Sequence, residues 1–400
     1  MLTSSQLANY ARVLFWGLET ARTEPYQPGD IILIRTDLEA MPLAEAVHEQ
    51  CMRRGLNPVI RVNPNPTIEL NFFTLGVDEQ IEFRTPGDQE LFSSLNGLIS
   101  LIAPSSLTHL KDVDPAKNAK LTVAKKYLRE IIDQREMQGS FGWTLCVMPT
   151  AALAEQAGLS MEEYTKQIVK AAHLDAEDPV ARWQETFDEA VGVKEWINGL
   201  DAVSYRVKSE NTDLVVGPGE MRRWIGVSGH NIPSFELFLS PDWRETEGVY
   251  YADQPSFRSG NLIRGVRLTF EKGEVVEVTA EEGESFVRKQ LAMDEGARRL
   301  GEFSLTDRRF SRIDTFMANT LFDENFGGDF GNCHVAVGSS YADTYAGDQA
   351  ALTKEKKKEL GFNDSALHWD LVNTEPKTVT ARLRDGSEMV IYENGEFRKS

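Results

Sequence analysis

Short apolar runs alternate with amphipathic stretches through the first half of the chain. Residues 31–35, Ile-Ile-Leu-Ile-Arg, are right for a buried strand and too short for a helix. Residues 38–55 follow with Leu43, Ala46, Val47 and Cys51 at helical spacing and Gly55 as a stop. Residues 58–62, 97–103 and 144–148 repeat the strand pattern, and a helix is expected over 121–137. Parallel strands need crossovers, and helices supply them. This alternation predicts an α/β N-terminal domain, residues 1–202, with a mostly parallel sheet. Its last fifty residues read as helical and polar, with Ser160 and Glu163 at capping-box spacing.

From residue 203 the pattern changes. Residues 261–270 and 275–279 read as strands joined at the Lys272-Gly273 turn. Residues 284–300 read as one helix that ends just before Glu302, residues 366–372 as a strand, and Asp385-Gly386 as a hairpin turn. The expectation is an α+β C-terminal domain over 203–400. Two domains also suit 400 residues, since single cores stop growing near roughly 250–300 residues.

Charge narrows the partners. A net charge of −19 disfavours nucleic acid, whose phosphates need clustered Lys and Arg. The dense basic stretch at 354–358 contains a Glu and reads as a solvated helix face. No apolar run approaches the roughly 20 residues of a membrane helix, so no membrane partner is expected. Residues 1–22 lack a basic start followed by an apolar stretch, so no secretory signal is expected. Three distant cysteines suit neither a disulfide framework nor a thiolate metal site, and the expected compartment is the reducing cytoplasm.

Among six histidines, His48, His109 and His173 lie in or beside helices without neighbouring ligand-type residues, and read as ordinary side chains. His230, beside Asn231-Ile232-Pro233, stays outside the ligand set. His368 and Asp370 differ: on a strand they share one face, about 7 Å apart. His334 lies in a short strand bracketed by glycines, with Tyr341 seven residues later. Glu236 and Glu302 sit among apolar neighbours, where an unpaired carboxylate is costly and a cation would offset the cost. Taken singly, each has an ordinary reading as a core histidine or an Arg-paired acid. Together they form a mixed nitrogen and oxygen set suited to zinc, cobalt or manganese. Two such ions sharing a carboxylate generate a hydroxide and polarise a carbonyl, the requirements of amide hydrolysis.

Several motifs occur in order: Asn231-Ile-Pro-Ser-Phe-Glu236, Thr246-Glu-Gly248, Gly296-Ala-Arg-Arg-Leu-Gly-Glu302, Asn319-Thr-Leu-Phe-Asp-Glu-Asn325, Cys333-His-Val-Ala-Val-Gly338 and Gly361-Phe-Asn-Asp-Ser365. The C-terminal half that carries them resembles the thermophilic aminopeptidase family, which includes aminopeptidases T and S. The resemblance implies hydrolysis of N-terminal residues from short peptides through a hydroxide activated by two divalent ions. It implies metal ligands at Glu236, Glu302, His334, His368 and Asp370, with Glu302 bridging the ions and handling protons. Glu324 matches a further ligand position, across a spacing to His334 lengthened by residues 326–330. Tyr341 falls on a tyrosine that acts at the scissile carbonyl. A homodimer with enclosed sites is implied as well.

Two rivals remain at this level. A two-metal phosphoesterase uses the same ligand types and needs cations for phosphate, for which Arg258, Arg264 and Arg267 are available. A catalytically inactive, metal-stabilised interaction module would keep the ligands without the reaction.

Overall fold

In the computed structural model, which describes residues 1–258 and 261–399, the chain divides into two units. One comprises Met1–Trp183 with Ser228–Pro233, the other Gln184–Val227 with Ser234–Ser400.

The first unit is built on β1 (Ile31–Thr36), β2 (Asn57–Val62), β3 (Gly97–Ile102) and β4 (Gly142–Val147), with Asn231–Ile232 as a short fifth strand. Their order is β2-β1-β3-β4 and then the short strand, parallel throughout. Ile32, Ile34, Ile99 and Leu101 are buried on one face and Leu33 and Leu98 on the other, as parallel strands covered on both faces require. Helix α1 (Ser4–Thr20) starts at a Thr3–Gln6 capping box and buries Tyr10, Leu14, Phe15 and Leu18. The 38–55 segment is broken: a 3-10 turn, Leu38–Ala40, precedes α2 (Met41–Arg53). Helix α2 buries Leu43, Ala44, Val47 and Cys51, while Ala46 is half-buried. Helix α3 (Pro66–Leu75) is capped by the Asn65 side chain. The helix expected over 121–137 begins earlier, at Pro115. The Ser160–Glu163 capping box forms as expected.

The second unit has two main sheets. Eight antiparallel strands run in the order Glu274–Thr279, Val266–Glu271, Thr246–Ala252, Asp213–Val216, Ala202–Lys208, Thr378–Leu383, Glu388–Glu393 and Glu396–Phe397. A five-stranded antiparallel sheet runs His368–Asn373, Asn332–Gly338, Leu300–Thr306, Glu236–Leu239 and Ile225–Gly226. Tyr250 of the large sheet donates to the Cys333 and Leu371 carbonyls of the smaller one, which fastens the two together. A parallel-sheet unit and a mixed unit of antiparallel sheets therefore make up the fold. Among the described residues, no helix is long and apolar enough to cross a membrane.

Two expected elements are corrected. The strand expected over 261–270 is two strands. Asn261–Ile263 pairs with Ser256–Arg258, the chain turns at Gly265 (φ +60), and Val266–Glu271 joins the large sheet. The helix expected over 284–300 stops at Leu291. Asp294 then binds the backbone N–H groups of Ala297 and Ala366 and the Ser365 hydroxyl, which holds the chain in a turn. Leu300–Thr306 follows as a strand buried at every position. Glu302 consequently lies within a central strand and not at a helix end.

Candidate metal centre

The register of the five-stranded sheet explains which side chains meet. Directly paired residues point to the same face, and faces alternate along each strand. Ser304 pairs with both His334 and Phe238, Thr306 with Glu236, Glu302 with Ala336, Ala336 with Asp370, and Gly338 with His368. Glu236, Glu302, His334, His368 and Asp370 therefore share one face, drawn from four strands. Ala336 separates Glu302 from Asp370, and Gly338 faces His368, so small residues leave open the space between the polar groups.

The distances are short. His334 Nε2 lies 3.1 Å from Glu236 Oε2 and 3.1 Å from Glu302 Oε1. The other Glu302 oxygen is 3.9 Å from His368 Nε2, which is itself 3.4 Å from Asp370 Oδ1. Candidate ligand atoms of Glu236, Glu302 and His334 all lie within 4.8 Å of one another. Glu324, on the turn after Thr320–Asp323, is close enough for Glu236, Asp370, His334 and Glu302 to act on its charge.

Supporting groups aim these side chains. The Ser304 hydroxyl donates to Glu236 Oε2 at 3.0 Å. His368 Nδ1 faces the Ser339 carbonyl at 2.9 Å, so Nδ1 carries a proton and Nε2 is the nitrogen turned toward the carboxylates. His334 Nδ1 faces Asn332 Oδ1 at 3.4 Å in the same sense. Ser304 and Asn332 are functional neighbours that the sequence did not single out. Each stands two residues from a candidate ligand, a signal readable only once the strands are known.

The electrostatics of these groups suit a shared cation. Burial is the main cause that raises Glu302 to about 7, with Glu236 adding to it against His334 and His368. Burial likewise drives Glu324 well above the carboxylate range, with Glu236 and Asp370 reinforcing it. Burial lowers the two histidines, but hydrogen bonds and charge from Glu236 and Glu302 hold His334 well above its ordinary value. Asp370 and Glu302 bring His368 to about 9. Burial raises Asp370, but the charge and hydrogen bond of His368, with the charges of His334 and Arg258, together bring it down to about 2. Among the described residues, Glu236 and Glu302 pair only with histidine, never with Lys or Arg. Arg258 acts on Asp370 alone, and buried carboxylates such as Glu236 and Glu302 beside imidazoles form a donor set that fits divalent metal.

Tyr341 flanks the cluster, with its ring 4.7 Å from that of His368. Ser240 accepts its backbone N–H and Thr344 donates to its carbonyl. The remaining candidates lie elsewhere. His230 faces Glu136 at 3.2 Å and Trp143 at 4.3 Å, within the first unit. His173 packs against Trp183. His109, read as an ordinary side chain without a ligand-type neighbour, has one across the fold: Glu69 Oε2 at 2.8 Å, forty residues away in sequence. Of the arginines suggested for phosphate, Arg264 pairs with Glu282, Arg267 binds Asn211, and Arg258 donates to the His368 carbonyl.

A family model described as Thermophilic metalloprotease (M29) matches residues 3–397. Aminopeptidase 2 of Geobacillus stearothermophilus is 27% identical over 395 residues, 93% of this chain and 94% of its own length. Aminopeptidase T of Thermus aquaticus is 32% identical over 269 residues, 64% of this chain and 63% of its own. Among solved structures, wild-type AmpT from Thermus thermophilus shares the fold, with a TM-score of 0.79 at 23% identity over 97% of this chain and 98% of that one.

Proposed function

This chain belongs to the thermophilic metalloprotease family (M29) and is a metal-dependent aminopeptidase; from that premise we propose that Glu236, Glu302, Glu324, His334, His368 and Asp370 hold two divalent cations. The observation that carries the proposal is the Glu302 carboxylate. Its two oxygens face different imidazoles, His334 at 3.1 Å and His368 at 3.9 Å, as a carboxylate shared by two ions requires. Bound there, divalent cations supply Lewis acidity that polarises a peptide carbonyl and acidifies water.

The chain's own groups do the rest. His334 and His368 are held with Nε2 toward the carboxylates by Asn332 and Ser339. Ser304 fixes the orientation of Glu236. Tyr341 keeps its phenolic proton at neutral pH, as any phenol does, and partial burial and the nearby carboxylates act in the same direction. A protonated phenol beside the cluster donates to the oxygen on which negative charge develops during attack on the carbonyl. Zinc, cobalt and manganese all accept this donor set. Three free, buried cysteines suit the reducing cytoplasm. Short peptides and a homodimeric assembly complete the reading.

Metal content measured together with hydrolysis of Leu-p-nitroanilide tests it. Two ions per chain are expected, with activity lost on chelation and regained on adding metal. Glu302→Ala is expected to lose metal and activity together. Retention of both ions by that variant would sink the assignment of Glu302 as the shared ligand.

A further inference from the structure

The first unit holds a cavity of about 470 Å³, in the size range of small-molecule sites. Its walls are the segments that follow three strands: Asp37–Glu39 after β1, Asn63–Pro66 after β2, and Ala103–Ser106 after β3. In the order β2-β1-β3 the chain runs outward from β1 to β2, then crosses back to the other side of β1. Open parallel sheets bind ligands where the strand order reverses in this way, beyond the carboxyl ends of the strands.

The cavity is braced. Asp37 Oδ2 accepts the Ala103 N–H at 2.7 Å and its Oδ1 accepts from Asn63 Nδ2 at 2.7 Å, so one carboxylate ties the three segments together. That leaves Asp37 structural and directs attention to the Glu69–His109 pair. His109 Nε2 faces Glu69 Oε2 at 2.8 Å, while its Nδ1 is buried with no hydrogen-bond partner. Glu69 is 40% exposed, so its carboxylate is reachable. Phe72, Phe73 and Leu121 supply an apolar wall, and Lys125 a cation.

The lining disfavours a phosphate ligand. Asp37 and Glu39 stand where a phosphate loop would need glycines and free N–H groups, and Glu69 adds further negative charge. A zwitterion with an apolar body fits: ammonium to Glu69 and His109, carboxylate to Lys125, side chain against Phe72 and Leu121. We propose that this cavity binds a free apolar α-amino acid, the class of product that the chain's own reaction releases. The link to product rests on the proposed function; the binding itself rests on the cavity alone.

Calorimetric titration of L-leucine into the metal-loaded enzyme tests it. Glu69→Gln is expected to weaken this binding at least tenfold while kcat and KM for Leu-p-nitroanilide stay unchanged. N-acetyl-L-leucine, which lacks the ammonium, is expected not to bind. Glu236→Ala, which alters the metal centre, is expected to keep L-leucine binding. An unchanged melting temperature in Glu69→Gln guards against misfolding, and a soaked crystal showing leucine beside Phe72 gives a second measure. Undiminished binding in Glu69→Gln, equal binding of N-acetyl-L-leucine, or loss of binding in Glu236→Ala would each overturn the proposal. Full metal content in Glu236→Ala would instead count against the metal-centre assignment and leave this inference standing.

Discussion

Tyr341 shows how a residue acquires a role from its surroundings. Its backbone is held by Ser240 and Thr344, and its ring rests beside His368. A phenol holds its proton throughout the neutral range, and the carboxylates near Tyr341, though the residue is 45% exposed, push it further that way. A donor aimed at developing negative charge is worth more in the transition state than in the ground state. Tyr341→Phe keeps the ring and removes the hydroxyl. We expect kcat on Leu-p-nitroanilide to fall by roughly 10²–10³, the size of effect seen on removing one oxyanion donor. KM and metal content should change little. Full activity in this variant would remove Tyr341 from the mechanism, and loss of metal would make it a structural support.

At the scale of the element, a one-residue irregularity puts Leu300 and Glu302 on opposite faces of one strand. Leu300 pairs with Val337, yet Glu302 pairs with Ala336, so Gly301 is an extra residue in the strand. Without that bulge, positions 300 and 302 would share a face; with it, Leu300 faces away while Glu302 stays on the face of His334. Gly301 suits the place because its backbone is crowded. A Cβ there would lie 2.4 Å from the Gly338 carbonyl oxygen and 2.4 Å from that of Ser339. Both contacts are with backbone, which yields less readily than a side chain. Gly301→Ala is therefore expected to destabilise the enzyme by on the order of 1–3 kcal/mol and to lower metal content and activity by displacing Glu302. Urea denaturation and metal analysis of the purified variant check this. Wild-type metal content with wild-type activity would show that the bulge tolerates a side chain.

Across the whole molecule, stability carries the cost of a buried amine. Lys377 is 3% exposed, and its Nζ has no hydrogen-bond partner among the described residues. Burial lowers its pKa from 10.5 to about 8, against the opposing pull of Cys333, Asp253 and Glu375. Below pH 8 the amine is charged in both folded and unfolded chains, and the fold bears the desolvation cost. Between about pH 8 and 10.5 the folded chain has lost the proton that the unfolded chain still holds. The unfolded state binds more protons there, so this group makes stability rise with pH. The full effect is about 3 kcal/mol at most. Lys377→Met removes the titration. The variant should melt above wild type at pH 7, and the gap should narrow steadily toward pH 10. A gap that stays constant over that range would mean that Lys377 is not desolvated as described.

Local periodicity determined much of this protein without reference to its tertiary structure. Alternating apolar runs marked β1 to β4 and the parallel first unit, because short-range spacing decides which residues can be buried on one strand. The two-residue spacing of His368 and Asp370 similarly placed them on a common face. What periodicity could not supply was any relation between distant strands. Glu302 read as a helix end because residues 284–300 have helical spacing, while the turn that stops the helix is made by Asp294 reaching Ser365 and Ala366, about seventy residues away. The Glu69–His109 pair was invisible for the same reason, since the segments after β2 and β3 meet only when those strands take places on either side of β1. Sequence thus determined the chemistry available at each position. Long-range strand pairing, whose register is set by burial across the whole sheet, decided which of those groups face one another.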